Sequence, residues 1–102
     1  MLKETLLMAI PQFKREQVEI FGRKFEIGVR IISMADYNQA MKSIEAKSAE
    51  DIAGIMAKWF FDPETGDEAF AAADMMKLPA CTVKELMRLF TEVNTGAKAQ
   101  NP

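Results

Sequence analysis

The chain of 102 residues contains no histidine and a single cysteine, Cys81. Without histidine there is no Cys–His nucleophile pair and no Ser-His-Asp triad. Zinc sites built on His or on several Cys are excluded as well. One cysteine cannot close an intrachain disulfide, which suits a reducing compartment, and Cys81 reads as a small apolar residue at the start of a helix. Charge of one sign is also missing. The 13 basic and 15 acidic residues are interspersed at a net charge of −2, so no basic stripe offers itself to nucleic acid. No apolar run approaches a membrane span, and the first residues lack the basic-then-apolar pattern of a signal peptide. The expectation is a protein that stays in the cytosol where it is made and touches neither membrane nor nucleic acid.

What is present is the composition of a soluble globular protein, with 49% hydrophobic and 27% charged residues. The length predicts one domain over residues 1–96, small enough that self-association often helps it, followed by a disordered polar tail over 97–102.

The pattern predicts an α+β fold, mainly helical. Residues 2–10 suit a short N-terminal helix that Pro11 ends, and a polar link fills 12–17. A β-hairpin is expected over about 17–32, where Val18, Ile20, Phe25, Ile27, Val29 and Ile31 alternate with polar residues or Gly28. A type II′ turn at Gly22-Arg23 would set Phe21 opposite Lys24, Ile20 opposite Phe25 and Val18 opposite Ile27. Three to four helices follow, over about 34–46, 50–61, 71–77 and 82–94. Ser33 and Ser48 are placed to cap the first two, and Thr82 with Glu85 makes a capping box for the last. Ile52, Ile55, Met56, Trp59 and Phe60 form an apolar stripe at helical spacing. Asp62-Pro63-Glu64-Thr65-Gly66 is turn chemistry.

No residue set has the look of a catalytic centre. The acidic loop Asp62, Glu64, Asp67, Glu68 invites a calcium reading, but Pro63 and the early Gly66 break the spacing of an EF-hand loop, leaving a solvated turn. Nothing sets two carboxylates across a pocket for acid–base work, so neither enzymatic activity nor a cofactor is expected. The aromatic triplet is more informative. Trp59 and Phe60 lie on the helical stripe and read as core, whereas Phe61 lies off it, either packed under the following loop or exposed for a partner. Among the eight methionines, Met41, Met56 and Met87 sit in apolar stripes. Met75 and Met76 are adjacent, so a short helix can hardly bury both, and Met34 lies near a helix start. Flexible Met side chains suit a surface that adapts to a repetitive client, as they also suit irregular core packing. The partner-binding surface is therefore expected at Trp59, Phe61, Met75 and Met76.

The order of these pieces resembles the tail assembly chaperones of long-tailed (siphovirus-type) bacteriophages. Gly28-Val29-Arg30-Ile31-Ile32-Ser33 matches that family's strand running into a capped helix. Trp59-Phe60-Phe61-Asp62-Pro63-Glu64-Thr65-Gly66 matches its apolar helix running into Asp-Pro-x-x-Gly. Phe70, Asp74, Leu78-Pro79 and Leu86 through Asn94 complete the sequence of motifs, which spans most of residues 2–94. The middle of this chain is shorter than usual, and Asp67-Glu68-Ala69 lengthens the step from Gly66 to the aromatic. The resemblance implies a non-enzymatic homo-oligomer in the host cytoplasm that binds the tape-measure protein, keeps it soluble, helps recruit tail-tube subunits and leaves before the virion is complete. In many such phages a ribosomal frameshift also yields a longer form. Two other readings belong to different classes: a head–tail connector retained in the virion, and a small regulatory protein.

Overall fold

Alternating strand residues with a positive-φ dipeptide between them dictate the first part of the fold. The computed structural model describes residues 1–45 and 47–96. After α1 (Leu2–Ala9), β1 (Phe13–Ile20) and β2 (Arg23–Arg30) form an antiparallel hairpin. The loop is Phe21-Gly22, one residue earlier than the sequence predicts. Both residues have positive φ, 51° and 78°, the pattern of a type I′ turn whose twist matches that of the strands. Val18 therefore pairs with Phe25 and Ile20 with Arg23. Moving the loop by one residue displaces each partner by two, so every side chain keeps its expected face. β1 also begins earlier than expected, in the charged segment. As the outer strand it tolerates Lys14, Arg15 and Glu16, with Lys14 and Glu16 paired at 3.0 Å.

The helices follow where the caps put them. Ser33 Oγ accepts from Asp36 N–H at the start of α2 (Met34–Ile44), and Ser48 Oγ accepts from Asp51 N–H at the start of α3 (Ala49–Met56). The predicted helix over 50–61 is shorter in fact. A single 3₁₀ turn, Ala57–Trp59, breaks it, and Phe60–Phe61 become β3, paired with Val29 and Gly28 of β2. The free edge of β2 takes up the main-chain groups that a longer helix would have used internally. α4 (Ala72–Lys77) starts with the Ala71 N–H donating to the Asp74 carboxylate at 2.9 Å. The final helix, α5 (Ala80–Thr95), begins two residues before the predicted one. The Pro79 carbonyl accepts from Thr82 and Val83, so Thr82 is buried in the first turn and does not cap it. The expected tail over 97–102, and the expected end of the second helix at 46, lie outside the described residues.

The inner sheet face (Val18, Ile27, Val29) packs on α3, α4 and α5 through Met56, Trp59, Phe60, Met75, Leu86 and Phe90. Each such side chain contributes about 1.5–3 kcal/mol on burial. The Trp59 and Phe90 rings lie parallel with centroids 3.8 Å apart, and Tyr37 stacks on Phe90 at 5.9 Å, so α2, the 3₁₀ turn and α5 meet in one aromatic column. Along α5, Arg88 bonds Glu85 and Glu92, all partly buried, and its hydrogen bond holds the Glu85 carboxyl below the usual carboxylate range.

Asn94 ties the end of α5 to the exit of β2. Its Nδ2 donates to the carbonyls of Arg30 (2.9 Å) and Phe90 (3.1 Å), and its Oδ1 accepts from Ile32 N–H (2.9 Å). Substitution by alanine leaves two partly buried main-chain groups unpaired. Asn94→Ala is expected to lower the unfolding free energy by about 2 kcal/mol in urea denaturation, with the helical circular dichroism signal kept. A loss below about 0.5 kcal/mol would show that the bridge does not hold the helix to the sheet.

Candidate functional site: an apolar groove and an uncovered helix

Three of the four expected partner-binding residues lie in the interior, a correction to the sequence-based site. Trp59 is closed off by Phe90, and Met75 is 2% exposed where α4 packs on α3. Phe61 is 5% exposed because strand alternation turns it away from Phe60, onto the outer sheet face. There it stacks on Phe13 at 5.4 Å beneath the Arg30 guanidinium, 4.8 Å from its ring. Arg30 in turn donates to the Lys58 carbonyl at 2.7 Å, and Arg15 to the Pro63 carbonyl at 3.0 Å. Of the two alternatives for Phe61, packing within the chain is the one adopted. Of the methionine doublet, only Met76 reaches solvent, at 47% exposure.

The surface that remains open lies beyond β3. Because β3 has two residues, it covers β2 only at Gly28 and Val29, and among the described residues the distal half of the hairpin has no neighbouring strand on that side. The chain then reverses through Asp62–Gly66: Asp62 Oδ1 accepts from Glu64 N–H, the Asp62 carbonyl accepts from Gly66 N–H, and Gly66 supplies a φ of 80°. An isolated bridge pairs Phe61 with Glu68, and Phe70 meets Phe60 edge-on. Leu78-Pro79 turns into α5. Between this return and the hairpin lies a groove of about 750 Å³. Val18, Ile27 and Leu86 form its buried floor, while Ile20, Phe25, Phe70, Leu78 and Pro79 line its sides. Lys24, Glu26, Asp62 and Glu64 are charged residues on its lining. The Thr82 Oγ1, buried beside it, has no hydrogen-bond partner among the described residues. An adjoining recess carries the groove past Thr82 to Cys81 and the Phe21-Gly22 turn.

The second uncovered element is α1. None of its residues is buried, and Leu2, Leu6, Leu7, Met8 and Ile10 are 55–85% exposed. Phe21, Phe25 and Met34 add to the exposed apolar surface. Scattered apolar residues are ordinary on a surface, and this run is larger than such scatter on a small domain. The apolar positions of α1 were legible in the sequence. The groove was not, because it is bounded by two distant segments, 18–27 and 61–86, that only the tertiary structure brings together.

Denaturation separates the packed from the exposed members of the original set. Phe61→Ala is expected to cost about 3 kcal/mol, and Met76→Ala no more than about 0.5 kcal/mol; the reverse order would restore Phe61 as a surface residue. No protein-family model, no curated protein and no solved structure matches this chain.

Proposed function

We propose that this chain is a tail assembly chaperone of a long-tailed bacteriophage, a non-enzymatic protein that binds the tape-measure protein, keeps it soluble and helps recruit tail-tube subunits. On this reading it acts in the host cytoplasm as a homo-oligomer and is absent from the mature virion. The observation that supports the reading most is the uncovered apolar surface of α1, the hairpin tip, Met34 and Met76 on so small a domain. Part of such a surface can join copies of the chain to one another, and the residues left open, Met34 and Met76 among them, then repeat modest apolar contacts along a long helical client with avidity. The second support is the order of motifs in the sequence. Val29-Arg30-Ile31-Ile32-Ser33 leads a strand into a capped helix, Asp62–Gly66 forms a closed turn, and Asp74 holds the start of α4.

The experiment is to produce the tape-measure protein of the same phage in bacterial cells with and without this chain, and to analyse purified virions by mass spectrometry. The expected outcome is a several-fold gain in soluble tape-measure protein, its co-purification with this chain, and virions that lack the chain. A tape-measure protein equally soluble without it would contradict the proposal. Stoichiometric amounts in the particle would point to a connector protein.

A further inference from the structure

We propose that α1 of one copy seats in the apolar groove of a second copy, so that the chain self-associates by exchanging its first helix. A helix of eight residues is not stable alone in water, and α1 has no buried residue to hold it. Leu2, Leu6 and Leu7 fall on one arc of its surface, extended by Ile10 just past its end. The groove has matching capacity. A cavity of about 150 Å³ accepts a benzene-sized group, so a groove of about 750 Å³ has room for the four side chains of this arc.

The area is also sufficient. An aliphatic side chain removes on the order of 100 Å² from water. Four of them against an equal area of groove wall, in two reciprocal seats, bury on the order of 1,600 Å², the size of a standard stable interface. Charge agrees in sign: Lys3 lies on the leucine-bearing side of α1, and the groove carries Asp62 and Glu64 against Lys24, with Glu26 already paired to Arg15.

The chain's own α1 leaves this groove open. None of the helix residues is buried, although Phe13, just past the Pro11-Gln12 link, stacks on Phe61 at the groove's near end, so a second copy is the occupant. Pairing of β1 edges between copies is a poorer route, since Lys14, Arg15, Glu16 and Glu19 charge that strand. The exchange leaves Met34 and Met76 uncovered for other contacts, and it does not depend on what the protein assembles.

The test is the mass in solution by light scattering after gel filtration, for the full chain, for Leu2→Asp/Leu6→Asp on α1, and for Phe25→Asp in the groove. All three residues are exposed, so the variants are expected to keep the fold, which thermal melting checks. The full chain is expected at twice its 11.5 kDa or a higher multiple, and both variants at 11.5 kDa. If Phe25→Asp fails to fold, the α1 variant decides alone. A wild-type monomer, whether α1 is free, folded back or reserved for another protein, overturns the proposal. So does an oligomer that survives the α1 substitutions. A monomer would also remove the homo-oligomer from the proposed function, while the tape-measure solubility assay tests client binding separately.

Discussion

The alternation of two aromatic side chains across one short strand governs the rest of this structure. β3 is only Phe60 and Phe61, yet pairing with Val29 and Gly28 sends one ring into the core and the other to the opposite face of the sheet. Phe60 joins the interior shared by α3, α4 and α5, while Phe61 stacks on Phe13 in a second layer beneath the guanidinium of Arg30. Gly28 permits that layer: a Cβ there would stand 2.7 Å from the Phe13 ring. Just before β3, the 3₁₀ turn brings Trp59 flat against Phe90. Three consecutive aromatic residues thus fix one helix end, one sheet edge and the packing of the last helix.

The same strand explains why the open surface lies where it does. A longer β3 would have paired with the whole of β2 and closed the groove. Because it stops at Phe61 and the chain turns back at Asp62–Gly66, the hairpin's distal half keeps Ile20 and Phe25 accessible. α1 is left equally uncovered at the other end of β1. An apolar helix and an apolar groove, each left open on one chain, are the complementary halves of the proposed contact between copies. Self-association of that kind fits a protein that grips a long client at many points, the role proposed from the motif order.

Much of the fold could be read from local chemistry. Ser33 and Ser48 cap the helices they were expected to cap, the hairpin strands keep their predicted faces, and the Met75–Met76 pair divides into one buried and one exposed residue. What failed was decided by tertiary structure. Trp59, Phe60 and the preceding apolar residues fit helical spacing as well as a helix followed by a strand, and only the free edge of β2 selects the strand. The I′ turn demands positive φ at Phe21, a residue that seldom adopts it, so Gly22-Arg23 was the natural sequence-based choice. The expected site at Trp59, Phe61 and Met75 rested on the apolar content of that stretch, and that content packs the protein's own interior. The groove and α1, assembled from distant segments, carry the open apolar surface instead.

Hydrogen–deuterium exchange read by mass spectrometry at low and high protein concentration tests most directly whether these two surfaces belong together. Amides of β2 and α5 should exchange slowly at every concentration, since they belong to the core. Those of residues 2–9 and of the hairpin tip should become protected together as concentration rises. An α1 that exchanges at once at all concentrations would contradict the account, because it would show that no second copy covers it.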